Sequence, residues 1–184
     1  MQVKRRQPRP VSLYVLSLVL LVEGVAALIG GISLLADPYG EPLGMAPGLL
    51  AGSPFGSYLV PGLLLTFVLG VYPLLALLLL WWRPDWRAFG WLERATGRHW
   101  TWTVGVTAGL AMVVWIAVQV LMLGANHPMQ AFIAGLGLMV VLLAFVPELR
   151  RAYRPASRTA RAAAVEAAVR PTVGRVARKG ARRR

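Results

Sequence analysis

Few residues of this chain combine a reactive side chain with a position that suggests chemistry. The 184 residues include seven Asp and Glu, two His and no Cys. Without cysteine there is no disulfide framework, iron–sulfur site or thiol nucleophile. His99 and His127 lie at opposite ends of one long apolar run, so they cannot share a metal ion or a haem within one chain. Since no catalytic triad, phosphate loop or dinucleotide-binding turn occurs, we expect no enzymatic activity, no catalytic residue, no metal and no cofactor.

Glu23 is the acidic residue whose position most requires an explanation. It lies midway along the apolar run Val11–Ala36, where a carboxylate costs several kcal/mol unless it is neutralised or paired. Ala27 and Gly30 share its helix face, and small residues of this kind allow helices to approach closely. We therefore expect Glu23 to face other helices. Two roles are open: a proton-carrying or cation-binding carboxyl, and a protonated structural carboxyl that is hydrogen-bonded to Gln119, a serine or a backbone carbonyl.

Gln119 is the other polar residue deep within an apolar run, and with Glu23 it forms the candidate buried polar site. Gly105 and Gly109 precede it with a small-xxx-small spacing that favours close packing of two helices. Packing with one interhelical hydrogen bond would explain all three residues. In the alternative, Gln119 and Glu23 together form the centre of a solute-binding position.

Long apolar segments must position these residues. Hydrophobic residues make up 57% of the chain and charged residues 15%, whereas a soluble domain has roughly 45–50% and about 25%. A bilayer core of ~30 Å needs about 20 apolar residues per helix, and a segment inside hydrocarbon must satisfy its own backbone hydrogen bonds. We therefore predict an all-α membrane protein. Its domain, residues 11–150, is a bundle of four transmembrane helices over 11–36, 58–82, 100–124 and 129–147.

The basic residues indicate the orientation of this bundle. Of the twenty Lys and Arg, four precede the first predicted helix, four lie between the second and third, and twelve follow Pro147. With four spans, these three segments face the same side, and Lys and Arg are retained in the cytoplasm. We therefore predict a multi-pass protein of the cell (plasma) membrane, with both termini cytoplasmic. Six of the seven tryptophans lie at the same ends of helices two and three, where indole rings anchor at headgroup level: Trp81, Trp82, Trp86, Trp91, Trp100 and Trp102.

Residues 37–57 form a long loop on the predicted outer side. It contains four Pro and five Gly, together with leucines, Met45 and Phe55 that are too apolar for a free solvated segment. Because Pro fixes φ and Gly permits positive φ, we predict a shaped loop, with one helical turn after Pro47 on the outer membrane surface. The loop is interpreted as a lid over the bundle or, alternatively, as an entrance or binding cap. Asp37 and Glu41 in this loop, with His127, form a candidate outer site, and a lipid-modifying enzyme would use them.

Three basic segments lie on the predicted cytoplasmic side. They are residues 1–10, the loop 83–98 and the tail 151–184. The sequence of the loop 83–98 predicts a short interfacial helix. The tail is expected to be disordered or to form a membrane-surface helix over 157–170. Basic residues near anionic headgroups gain ~1 kcal/mol each. We therefore expect the cytoplasmic-face lipid headgroups to be partners of the protein, and nucleic-acid binding is not expected because no aromatic residue follows Tyr153. The candidate headgroup contacts are Arg83, Arg87, Arg150 and Arg151.

Several short motifs lie between residues 30 and 62. They are Gly30-Gly31, Asp37-Pro38, Leu43-Gly44-Met45, Ser53-Pro54-Phe55 and Pro61-Gly62. With these motifs the chain resembles a widespread group of small prokaryotic integral membrane proteins with four helices, which are described only as uncharacterised. The resemblance covers about residues 12–150; it implies a bacterial or archaeal cell membrane and brings no activity and no catalytic residues.

A carboxylate in the first of four helices is similar in layout to the small multidrug resistance transporters. Three features of this chain depart from that family. They are the 21-residue loop 37–57, the basic tail and the one-sided distribution of Lys and Arg. Dual-topology members of that family need an almost unbiased distribution, so the similarity is limited to Glu23.

Two functions follow as expectations. The first is a non-enzymatic accessory protein that binds lipid or a partner membrane protein, or associates with a second copy of itself. The second is a proton-linked carrier of a small or amphiphilic solute that uses the carboxylate of Glu23.

Overall fold

A computed structural model describes residues 9–45, 47–124 and 128–155 of the protein. The principal elements are helices. They are α1 (Val11–Ala36), α2 (Leu59–Trp82), α3 (Gly90–Thr96), α4 (Trp100–Leu123), α5 (Pro128–Phe145) and α6 (Pro147–Ala152). Within the described ranges, α1, α2 and α4 are long and apolar enough to cross a membrane, and the apolar helix Gln130–Phe145 is shorter. The prediction of a helical membrane protein is therefore confirmed.

The four apolar helices pack as a ring. Helix α1 contacts α2 and α5, α2 contacts α4, and α4 contacts α5, so each helix packs against its neighbours in the chain and α1 closes the ring against α5. The core between them is formed by large aliphatic side chains and small alanines, with buried residues from all four helices. Among these are Leu13, Leu16, Leu20, Leu80, Met112 and Val140.

Glycines set the closest approaches between the helices. A Cβ on Gly109 would lie 3.0 Å from the carbonyl oxygen of Gly137, and a Cβ on Gly137 would lie 3.1 Å from that of Gly109. Gly105 packs against the side chain of Leu80. The expectation that Gly105 and Gly109 favour close helix packing is confirmed. On the other side of the ring, a Cβ on Gly31 would lie 2.2 Å from Thr66 Oγ1, so α1 and α2 also meet at a glycine.

Helix α2 contains a π-helical segment, Leu65–Val71. The N–H of Tyr72 donates to the carbonyl of Phe67, one residue further back than in an α-helix. The next residue is the buried Pro73, which has no N–H and whose ring clashes with the carbonyl four residues earlier. The wider turn accommodates this clash, since π-bulges are one of the ways in which a helix absorbs such a disruption.

The polar ends of three tryptophans bond inside the bundle. Trp81 Nε1 donates to Ser17 Oγ at 2.7 Å, Trp100 Nε1 to the Pro84 carbonyl at 2.8 Å and Trp102 Nε1 to the Ala144 carbonyl at 2.7 Å. Trp100 and Trp102 are buried. Trp82, Trp86 and Trp91 are exposed, as side chains of the expected interfacial belt would be. The N–H groups of Trp81 and Trp102 join pairs of helices, and that of Trp100 joins α4 to the loop that follows α2.

Candidate functional site

The loop 37–57 is shaped by its own hydrogen bonds. The N–H of Tyr58 donates to the Pro38 carbonyl at 2.8 Å and joins the two ends of the loop. Gly40 adopts a φ of 81° beside the Tyr58 ring, where an added Cβ would lie 3.1 Å from ring atoms, so this position requires glycine. The 3₁₀ turns Glu41–Leu43 and Pro47–Leu50 follow. A shaped loop with a helical turn at Pro47 was the expectation, and the structure agrees with it.

Asp37 has a structural role at the start of this loop. Its Oδ1 accepts from the N–H of Tyr39 at 2.9 Å and its Oδ2 from the N–H of Glu41 at 3.2 Å. Both oxygens are thereby used to hold the backbone turn. The Glu41 side chain is exposed, and His127 lies outside the described residues. Within the ranges that the structure describes, no group of three His, Cys, Asp or Glu could hold a metal ion.

A cavity of about 160 Å³ lies beneath the loop, between the loop-side ends of α2 and α4. Among the described residues that line it, Ser53, Tyr58, Trp115 and Gln119 carry polar groups, and the other ten are apolar. The loop contributes Leu43, Met45, Leu50 and Phe55; the helices contribute Leu34, Pro61, Leu64, Leu65, Val118 and Met122. The loop thus lies over an apolar cavity, and this arrangement is compatible with both the lid and the binding-cap interpretations.

The cavity borders the surface of the bundle. Leu64 of α2 and Val118 of α4 line it, and they are also 38% and 40% exposed. Both are apolar residues of helices that are long and apolar enough to cross a membrane. We call this margin of the cavity, defined by Leu64 and Val118, the side opening. The roof rests directly on α4, because a Cβ on Gly52 would lie 3.3 Å from the Met122 carbonyl oxygen.

Gln119 and Glu23 lie at different depths in the bundle. At 1.5 Å per residue, Gln119 is about 28 Å from the start of α4, whereas Glu23 is about 18 Å from the start of α1. Gln119 lines the cavity and Glu23 does not. The structure therefore does not bring the two members of the candidate buried polar site into one pocket.

Glu23 is buried, and among the residues that the structure describes its carboxyl has no polar partner. Its exposed fraction is 9%, which agrees with the expected inward orientation. The adjacent Gly24 packs against Leu74, and a Cβ there would lie 3.2 Å from the Gly70 carbonyl oxygen, so Glu23 lies beside the π-helical segment of α2. Among the described residues, its carboxyl makes no hydrogen bond to Gln119, to a serine or to a backbone carbonyl.

The four candidate headgroup arginines divide into two groups. Arg87, Arg150 and Arg151 are exposed. Arg83 instead packs inward: its Nη1 donates to the Ala152 carbonyl at 2.9 Å, and its guanidinium carbon lies 3.8 Å from the centroid of the Tyr153 ring. Burial raises the pKa of the Tyr153 phenol, and the positive charge of Arg83 partly opposes this rise. The guanidinium of Arg83 is therefore engaged in contacts within the protein itself.

Sequence reasoning missed Ser53, Tyr58 and Trp115 as cavity residues. The apolar residues of the loop indicated that it covers another part of the protein. Which helix faces the loop depends on contacts between residues that are far apart in the sequence. The π-helical segment was missed as well, although Pro73 within a long apolar run marks its position. Comparison with known proteins gives no relative: the chain matches no family model, no curated protein and no solved structure.

Proposed function

We propose that the protein is a non-enzymatic integral membrane protein that binds the hydrocarbon part of a lipid or another amphiphile in the cavity beneath the loop 37–57. The observation that carries this proposal is the cavity itself, which the loop covers and which Leu64 and Val118 border on the exposed surface of the apolar helices. Ligand sites are typically concave and mostly apolar, with a few polar groups that orient the ligand. Ser53 and Gln119 are groups of that kind.

The size of the cavity supports an apolar ligand. A cavity of ~150 Å³ lined by aliphatic and aromatic side chains stays dry and takes up small apolar molecules. The cavity here, of about 160 Å³, is comparable in size. In a membrane, the apolar groups available in quantity are acyl chains, and the side opening gives them a route that does not cross water. A concave cavity of this size suits the end of an acyl chain better than it suits the surface of a partner protein.

The proposal includes a membrane topology. We propose that four helices cross the plasma membrane and that both termini are cytoplasmic, which would place the loop 37–57 and its cavity in the outer leaflet. All twenty Lys and Arg lie in segments that precede α1, join α2 to α4 or follow α5, and this distribution supports that orientation. The basic tail, residues 156–184 of which lie outside the described residues, would then contact anionic headgroups at the cytoplasmic face.

Native mass spectrometry of the protein released from nanodiscs of mixed phospholipids tests the binding. Val118→Trp fills the side opening, and Val114→Trp is the matched control, because Val114 is exposed on α4 one turn away and does not line the cavity. The indole would occupy space at the margin of the cavity, so we expect the occupancy of this cavity by amphiphile to fall about tenfold in Val118→Trp, a loss of ~1.4 kcal/mol in binding, and to stay at the wild-type level in Val114→Trp. Equal retention in all three proteins would contradict the proposal.

A second function, a proton-linked carrier, is favoured by one observation: Glu23 is buried in the middle of a membrane helix without a polar partner among the described residues. A carboxyl in that environment is stable when neutral, and taking up or releasing its proton would change the local energetics by several kcal/mol. For a carrier, amphiphile binding depends on pH and Glu23→Gln abolishes that dependence. For the binding protein proposed above, Glu23→Gln leaves both the fold and the retained amphiphile unchanged.

A further inference from the structure

A second apolar recess lies in the groove between α1 and α2, on the bundle surface and away from the cavity beneath the loop. It has a volume of about 340 Å³ and is lined by Ser17, Leu18, Leu21, Leu77, Leu78 and Trp81. Leu18 and Leu78 are each 60% exposed, so the groove faces hydrocarbon along its length. The groove lies towards the end of the bundle where α1 begins and α2 ends, which is the opposite end from the loop 37–57.

Trp81, in the last turn of α2, lines this groove. Its Nε1 donates to Ser17 Oγ at 2.7 Å, and the Tyr14 ring packs edge-on against it with the ring centroids 5.3 Å apart. These contacts hold the indole between the two helices and satisfy its N–H. Because the Trp81 N–H is bonded to Ser17, the wall of the groove presents only carbon atoms to the bilayer. The Trp81 indole is held in place at the end of the groove.

The side chain of Arg9 stacks on the Trp81 indole. Its guanidinium carbon is 4.2 Å from the centroid of the Trp81 ring, and its Nη2 donates to the Trp81 carbonyl at 3.2 Å. The Arg9 side chain is exposed. A guanidinium has five N–H donors in a planar fork that matches a phosphate group, and the bond to the carbonyl uses one of them. Stacking on the indole holds this fork beside Trp81, one of the residues that line the groove.

We infer that this groove binds a phospholipid with an anionic headgroup, in which an acyl chain lies on the leucines of α1 and α2 and the phosphate contacts Arg9. The charge of the chain supports this occupant. The described residues at this end of the bundle include eight Arg and three acidic residues, so an anionic headgroup is favoured over a zwitterionic one. The arginines are Arg9, Arg83, Arg87, Arg94, Arg98, Arg150, Arg151 and Arg154, and the acidic residues are Asp85, Glu93 and Glu148. The site is independent of the cavity beneath the loop 37–57 and lies in the other leaflet.

The test is native mass spectrometry of the full chain released from nanodiscs that contain equal amounts of phosphatidylglycerol and phosphatidylcholine. We expect the wild type to retain phosphatidylglycerol preferentially. Arg9→Gln should reduce that preference about fivefold, the factor for one basic residue at an anionic surface. Arg94→Gln is the matched control, because it removes the same charge from the exposed face of α3. A decrease in Arg94→Gln equal to that in Arg9→Gln would overturn the site, since it would indicate a diffuse charge effect.

Filling the groove tests the contribution of the acyl chain separately. Leu78→Trp should lower the retention of both lipids, whereas Leu75→Trp should not, because Leu75 is exposed on α2 but does not line the groove. Displacement of phosphatidylglycerol by glycerol phosphate, which has no acyl chain, would overturn the proposal, as would a dimer that Leu78→Trp converts to a monomer. Val118→Trp acts at the cavity beneath the loop 37–57. If that variant failed to lower amphiphile binding, the results for the groove variants would be unaffected.

Discussion

The phenolic hydroxyl of Tyr153 donates a hydrogen bond of 2.6 Å to the carbonyl oxygen of Leu80. Leu80 lies in the last turn of α2, and Tyr153 directly follows α6, so the bond joins two distant parts of the chain. The carbonyl of Tyr153 accepts from the N–H of His99 at 2.7 Å, just before α4 begins. Both Leu80 and Tyr153 are almost completely buried. The segment after α5 therefore folds back beneath the bundle and fastens the ends of two helices.

Removing this hydroxyl should destabilise the bundle. In Tyr153→Phe the Leu80 carbonyl keeps the longer contact from Arg83 Nε, at 3.4 Å, and loses its short bond. We expect a cost of about 1–2 kcal/mol, typical of a buried hydrogen bond lost from one side. Unfolding of the purified protein in detergent measures it. Tyr39→Phe, at an exposed loop position, should be indistinguishable from wild type, and equal stability of the two variants would show that the bond contributes little.

The same phenol predicts a pH dependence at high pH. Burial raises the pKa of Tyr153, so the unfolded chain releases this proton at a lower pH than the folded protein does. The unfolded pKa is about 10; the contribution to stability is therefore complete below about pH 10 and is lost as the pH rises through the folded pKa. We expect the stability of the wild type to fall more steeply above pH 10 than that of Tyr153→Phe. Parallel curves for the two proteins would contradict this assignment.

The contact between α1 and α2 should not tolerate a side chain at Gly31. A Cβ there would lie 2.2 Å from Thr66 Oγ1 and 2.9 Å from Thr66 Cα, so the backbone of α2 would have to shift. Overpacking of this kind typically costs 1–3 kcal/mol, which is the loss of stability we expect for Gly31→Ala. The control is Gly135→Ala in α5, where nothing lies within 4 Å. There, the higher helix propensity of alanine should leave stability unchanged or raise it by up to ~1 kcal/mol.

Gln119 should influence the affinity of the cavity without influencing the fold. Gln119→Leu keeps a side chain of similar length and removes the amide, so a ligand polar group beside it loses a partner worth ~1 kcal/mol, or about fivefold in affinity. Titration with a short-chain phospholipid, followed by native mass spectrometry, measures the change. Gln130→Leu serves as the comparison, since Gln130 does not line the cavity. Equal losses in the two variants would mean that Gln119 has no direct contact with the ligand.

The sequence predicted the features that depend on local composition. Apolar runs indicated the helices with ends correct to within two residues, as at α2, which begins at Leu59 instead of residue 58. Proline and glycine indicated the shaped loop, and small neighbours indicated the inward orientation of Glu23. These signals reside in a few consecutive residues or in one helix period, and this is why the sequence alone was sufficient.

What the sequence did not reveal depends on which distant residues meet. Tryptophan has an affinity for the membrane interface whatever its surroundings, so its type cannot distinguish the exposed Trp82 from Trp102, whose N–H bonds to Ala144. Arg83 was expected at headgroups because of its charge, yet the ring of Tyr153, 70 positions away, holds it. The cavity likewise results from the loop resting on α4, a contact that no local pattern encodes.

The π-helical segment of α2 also determines the phase of that helix. Gly62, Thr66 and Gly70 are spaced by four residues, and all three pack against α1, at Leu34, Gly31 and Leu28. In a regular α-helix of 3.6 residues per turn, each step of four residues would rotate the next of these three residues by about 40° away from α1. The wider turn before Pro73 cancels this drift. The proline therefore keeps the two helices aligned over about two turns. A variant that restored regular α-helical winding would turn part of the face formed by Gly62, Thr66 and Gly70 away from α1 and towards the lipid.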